Sequence, residues 1–205
     1  MLAKIYSAAV YGVDAYEVEI EVNAGGGDPN IVIVGLPDTA VKESRDRVTT
    51  AISNSGYFWP RGRTTINLAP ADIKKEGPSF DLPIALGMIV AADRSDSEAE
   101  ELSDYAFVGE LALSGAVRPV KGVLPVALEA RKRGKRALFV PEANAREAAM
   151  VEGIDVYGVQ NLRQTFEFIR GGGTLQPTRG DLTQFFAAHQ IFDVDFSDVK
   201  GQGHV

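Results

Sequence analysis

The segment Lys74-Lys75-Glu76-Gly77-Pro78-Ser79-Phe80-Asp81 places a hydroxyl nucleophile just after Gly–Pro. The apolar run that follows from Leu82 predicts a helix, so Ser79 stands at a helix mouth. Backbone N–H groups there stabilise negative charge developing on a nearby oxygen. A serine hydroxyl needs a base before it can attack. The only histidines are His189 and His204, outside the body of the domain, and there is no cysteine. The base would have to be a lysine with a lowered pKa. The same residues have a plainer reading, in which Ser79 or Asp81 caps the helix.

Other chemistries are poorly supplied. Without cysteine there is no disulfide framework, thiolate zinc site, iron–sulfur cluster or cysteine nucleophile, and no metal site is expected. No G-x-x-x-x-G-K-[ST] occurs; Gly115 to Lys121 comes nearest, with Val120 where the second glycine must sit. G-x-G-x-x-G, G-x-S-x-G and H-E-x-x-H are also absent. Ser197 and Lys200 fit S-x-x-K, but in a tail without an enclosing pocket.

Basic residues are unevenly placed. Lys42, Arg45, Arg47, Arg61, Arg63, Lys74 and Lys75 form one group, and Arg118, Lys121, Arg131, Lys132, Arg133, Lys135 and Arg136 another. A phosphate-contacting face is one reading of them. Solvated helix faces are the other, with Arg131 to Arg136 complementing a helix dipole. Tyr57, Phe58 and Trp59 stand beside Arg61 and Arg63, which makes Arg61, Arg63, Lys74 and Lys75 the nucleic-acid candidates. Packing is an equal claim on Trp59.

The framework that must hold these residues is a soluble one. The chain has 205 residues, 45% hydrophobic and 24% charged, with a net charge of −7. That suits one sizeable domain with a tail, and argues against wholesale nucleic-acid binding. The longest uncharged apolar run, Leu82 to Ala92, falls well short of the ~20 residues that span a bilayer. No targeting segment is expected, and the chain reads as cytoplasmic. Alternation predicts strands over Tyr16–Asn23 and Asn30–Leu36, joined as a hairpin through AGGGDPN. Asp38 is the expected N-cap of a helix with Val41, Ser44, Val48 and Ile52 on its buried face and Lys42, Glu43, Arg45, Asp46 and Arg47 on the other. A strand is expected over Thr64–Leu68 and a buried helix from Ser79 to about Asp93. Tyr105–Leu113 and Ala116–Pro119 read as a strand pair. A helix over Gly122–Arg133 follows, then strand 137–140, helix 144–151, strand 154–159 and helix 162–169. A short helix near Thr183 to Ala188 is expected in the tail.

Five stretches in register carry a family resemblance: MLAKIYSAAVYGVDAYEVEIEV, IVGLPDTAVKESRDRV, INLAPADIKKEGPSFDLPIAL, VGELALSGAVRPVKGVLPVALEA and VPEANAREAAMVEG. Over about residues 1–170 the chain resembles the N-terminal domain of the ComM/YifB family of magnesium-chelatase-like AAA+ ATPases. Asp195 to Val205 resembles the opening of that family's AAA+ module, with residues 171–194 as a linker. The resemblance implies an α+β fold, a mixed sheet with packed helices, similar to the Lon protease proteolytic domain (ribosomal-protein-domain-2-like). It also implies DNA, single-stranded or branched, as a partner, and a hexamer built through the AAA+ module. Branch migration during natural transformation is the implied role, with ATP and Mg serving that module and no cofactor in these residues. In Lon, Gly-Pro-Ser supplies the nucleophile and a lysine the base. Ser79 matches the first, Gly109–Glu110 match the adjoining strand, and the lysine position falls on Leu124. Leucine accepts no proton, so the resemblance implies a vestigial Ser79, with Lys121 as the substitute to test. An active Ser–Lys peptidase and a magnesium-chelatase subunit are the competing expectations.

Overall fold

The computed structural model describes residues 2–93 and 102–180. Chain order is β1 (Leu2–Tyr11), β2 (Asp14–Ala24), β3 (Asn30–Val34), α1 (Thr39–Asn54), β4 (Arg63–Ala69), α2 (Asp81–Ala92), β5 (Tyr105–Phe107), β6 (Glu110–Leu111), β7 (Val117–Arg118), α3 (Val123–Lys132), β8 (Ala137–Pro141), α4 (Ala145–Ala148), β9 (Asp155–Val159) and α5 (Leu162–Ile169). A 3₁₀ turn at Pro78–Phe80 leads into α2. Seven strands form one mixed sheet in the order β3-β4-β2-β1-β5-β8-β9, and β6 pairs with β7 separately. This is the expected α+β architecture.

Local chemistry sets the boundaries. Asp38 caps α1, its Oδ1 accepting from the Val41 N–H at 2.7 Å. Asn161 caps α5 through the Gln164 N–H at 2.8 Å. Gly134, with φ of 74°, follows the end of α3. The sheet is buried on both faces over its centre, and alternation sorts the side chains. Ile5, Val18, Ile20, Val22, Phe107 and Phe139 face α1, α2 and α5. Ala8, Ala106, Val108, Leu138 and Val140 face α3 and α4. Nearly every residue of α2 is buried, which explains its uninterrupted apolar sequence.

Three expectations are corrected. β2 and β3 are not a hairpin: β4 lies between them, antiparallel to β2 and parallel to β3. Sequential adjacency misled because the longer-range strand Arg63–Ala69 supplies the partner for both. Tyr105–Leu113 is two strands: β5 joins the main sheet beside β1 and β8, and β6 turns out to pair with β7. Arg47 is not on the solvent face of α1, because its guanidinium turns inward to the buried Asp81 carboxylate. β1 is the central strand, paired over ten positions with β2. The expected tail helix, the tail's S-x-x-K and the AAA+-like end lie outside the described residues. Among the described residues no helix is long and apolar enough to cross a membrane.

Candidate functional site

Ser79 occupies the 3₁₀ turn that delivers the chain into α2. Gly77 enters this turn with φ of 81°, and Pro78 starts it. The turn is pinned on two sides. The Ser79 carbonyl accepts from the Gly109 N–H at 2.9 Å, and the Leu82 N–H donates back to the Gly109 carbonyl at 3.0 Å. A Cβ at 109 would stand 2.8 Å from Val117 Cγ1, so glycine permits this approach. On the other side the Gly77 N–H donates to Asp38 Oδ2 at 3.1 Å. The Ser79 side chain is partly exposed, and its hydroxyl has no hydrogen-bond partner among the described residues. Ser79 is therefore not the cap of α2. Asp81 is not one either: its carboxylate bonds residues from other elements.

Asp81 is fully buried. Its Oδ2 accepts from Arg47 Nε at 2.9 Å and from the Leu111 N–H at 3.2 Å. Its Oδ1 accepts from Arg47 Nη2 at 3.2 Å and from the Ser44 hydroxyl. Burial pushes the Asp81 carboxyl above its ordinary range, against the pull of Arg47 and Ser44. The Asp81 bond raises the Arg47 guanidinium in turn. Four bonds thus tie α1, the start of α2 and β6 together two residues from Ser79. This explains why Arg47 leaves the polar face of its helix. Helical periodicity carried no signal for it; a charge at the first position of a wholly apolar helix was the available hint.

Among the described residues no lysine is hydrogen-bonded to the Ser79 hydroxyl. Lys75 is fully buried, and burial lowers its pKa, the property the chemistry asks for. Its amine, however, donates to the Ile73 carbonyl at 2.7 Å and to the Pro70 carbonyl. It folds back on its own loop, whose backbone is also bonded through Lys75 to Leu36 and Asp38. Lys74 is exposed and held by Glu76 at 2.7 Å, which raises its pKa. Lys121 is exposed in the turn before α3 and makes no described bond to Ser79. Leu124, at the position where the Lon resemblance calls for the base, packs against the cluster of Val123, Val126 and Ala127 on the sheet face opposite α2. Its site is apolar, and a hydrocarbon fits it.

The nucleic-acid candidates are not brought together. Arg61 and Arg63 are exposed at the start of β4, and no ion pair engages them among the described residues. Lys74 and Lys75 follow the far end of that strand, roughly 20 Å away at ~3.3 Å per residue. Lys75 is withdrawn altogether by burial. Of the aromatic triplet, Tyr57 packs edge-on to Phe166 at 5.0 Å and Trp59 lies on the core, while Phe58 is 77% exposed. The second basic group is largely neutralised in place. Arg133 and Lys132 pair with Glu129 at 2.7 and 3.6 Å, and Arg118 with Glu110 at 3.3 Å. Lys135 pairs with Glu17 at 3.1 Å and stands 3.4 Å above the Tyr6 ring. Among the described residues no cluster of acidic or imidazole side chains could hold a metal ion.

Comparison with known proteins places the chain among its relatives. The chain is 42% identical over 205 residues to the competence protein ComM of Haemophilus influenzae, covering 99% of this chain and 40% of ComM. It is 40% identical over 202 residues to YifB of Escherichia coli, covering 98% of this chain and 38% of YifB. A weaker likeness, 28% over 174 residues, links 79% of it to 21% of Lon protease 2 of Thermus thermophilus. The chain spans about two-fifths of the length of ComM and YifB. Residues 20–144 match the family described as subunit ChlI of Mg-chelatase, more than half of the chain, and the protein belongs to that family.

Proposed function

We propose that this domain is the accessory N-terminal module of a ComM-like AAA+ machine acting on DNA, with a peptidase-like frame that does not cleave peptides. The observation that carries the reading is the 42% identity to ComM along the whole chain. On this reading ATP and magnesium serve the AAA+ module of the longer protein, which also builds the hexamer. The domain's own contribution is DNA engagement, ring assembly or both. Arg61 and Arg63, exposed and without an ion pair among the described residues, support the first, with Phe58 near them in sequence as a stacking surface. Anisotropy of labelled single-stranded and forked DNA tests it. Arg61→Ala with Arg63→Ala should weaken binding and lower the salt slope by about 2, one per lost phosphate contact. Binding that is absent, or indifferent to salt and to both arginines, removes DNA from the reading.

Active peptide hydrolysis is the second reading, favoured by the Lon protease 2 likeness and by a Ser79 hydroxyl without a hydrogen-bond partner among the described residues. It requires a lysine nitrogen within roughly 2.6–3.2 Å of that hydroxyl in a productive pose. The engagement of Lys75 by two carbonyls and the apolar setting of Leu124 speak against it.

A further inference from the structure

The two edges of the main sheet are treated differently. At β9 the chain covers its own edge: the Thr178 N–H donates to the Val156 carbonyl at 2.7 Å, an antiparallel bridge outside the strand. At β3 the strand pairs with β4 alone among the described residues. Because that pairing is parallel, alternate N–H and C=O groups of Asn30–Val34 point away from β4. Open edges are normally blunted by lysine, by an inward charge or by a bulge. Here Asn30 to Pro37 reads N-I-V-I-V-G-L-P, with no charge and no proline before the strand has ended. Val34 and Leu36 are 41% and 52% exposed.

Leu36 adds a second, independent observation. It holds φ of 55°, the one positive φ of a described non-glycine residue. That conformation is strained in a residue that is not glycine. It keeps an apolar side chain in solvent at the strand's end, where burial does not reward it. Gly35 beside it cannot change, since a Cβ there would lie 2.2 Å from the Leu68 carbonyl oxygen.

We infer that the outer edge of β3, from Asn30 to Leu36, docks an extended, uncharged segment of another polypeptide as an added strand, with Leu36 as its apolar anchor. The chemistry of the edge identifies the occupant. Unpaired main-chain groups select an extended chain, and the uncharged, β-branched surface selects an apolar one. A second copy is the poorer fit, since one five-residue strand offers far less than the ~1,200 Å² that a stable interface buries. The ladder continues past the strand as a parallel bridge between Pro37 and Lys75. A docked segment would thus run toward the Ser79 turn. The inference does not depend on the DNA reading.

The test uses the full chain with a fluorescein-labelled peptide of alternating threonine and valine, and a proline-substituted version as control. Expected are saturable binding of the first only, and slowed amide exchange confined to Asn30–Leu36. Val34→Lys should weaken binding about tenfold or more, because a lysine on an edge opposes strand addition. Leu36→Gly, which relieves the positive φ, should weaken binding without lowering Tm; a purely structural Leu36 would leave binding alone. Absence of saturable binding, protection elsewhere, or indifference to Val34→Lys overturns the inference. So does sedimentation showing Val34→Lys-sensitive dimers, which would make the occupant a second copy.

Discussion

Removing the Asp81 carboxylate tests whether the Ser79 frame is held as described. Asp81→Ala takes an acceptor from the Arg47 guanidinium, the Ser44 hydroxyl and the Leu111 N–H at once. Breaking a buried ion pair by deleting one partner costs about 3–5 kcal/mol. The Arg47 side chain is 25% exposed and can turn partly to water, which places the loss near the lower end, about 3 kcal/mol. Arg47→Met leaves the opposite orphan, a carboxylate in the core. Its cost should depend on pH. Burial already raises the Asp81 carboxyl, so the native state holds its proton to higher pH than the unfolded chain does. Stability from this group falls as pH rises through that window. Without Arg47 the carboxyl rises further, so the Arg47→Met deficit should shrink on acidification. Urea unfolding of Asp81→Ala, Arg47→Met and the double variant supplies the measurement. The double variant should be less destabilised than the sum by about 2 kcal/mol, with amide exchange at Gly77, Ser79 and Phe80 faster in each. Additive losses, or singles costing under ~1 kcal/mol, would refute a cluster that joins α1 to α2.

Three further outcomes follow from the same geometry. Lys75→Met strands the Pro70 and Ile73 carbonyls and should cost about 1–3 kcal/mol. Because burial lowers the native amine's pKa, wild-type stability should rise with pH toward the ordinary lysine range, and this slope should vanish in the variant, read by urea unfolding at several alkaline pH values. Gly35→Ala, with its Cβ driven into the Leu68 carbonyl at φ of 97°, should cost about 3 kcal/mol or more in thermal unfolding, whereas Gly26→Ala, with open space around it, should change little. Ser79→Ala should leave stability within about 0.5 kcal/mol in the same unfolding experiment, since its hydroxyl bonds nothing described.

Most helices and strands could be read from periodicity because their buried faces are regular. Val41, Ser44, Val48 and Ile52 of α1 are buried as the 3.6-residue spacing requires, and Asp38 caps them. What could not be read was which strands pair. The β2–β4–β3 order depends on pairing between residues far apart in sequence, such as Ile20 with Leu68 and Ile31 with Thr64, and adjacency in sequence pointed to a hairpin instead. The site was legible in part. The Gly-Pro-Ser turn lies at a helix mouth as expected, yet Lys74 and Lys75, neighbours in sequence, have opposite fates. One reaches solvent and Glu76, and the other is drawn inward to two carbonyls. Composition cannot separate them, because strand alternation through the Pro37–Lys75 bridge decides which points inside. Arg47 was misplaced for the same reason: its partner Asp81 is thirty-four residues away.

The most direct measurement is hydrolysis of a fluorogenic unfolded substrate by this chain, with Ser79→Ala beside it. A frame without a base predicts identical, background rates for the two proteins over the whole alkaline range where a lysine would deprotonate. Cleavage that Ser79→Ala abolishes would mean that some lysine reaches the hydroxyl after all, and the account of a silent site would be wrong.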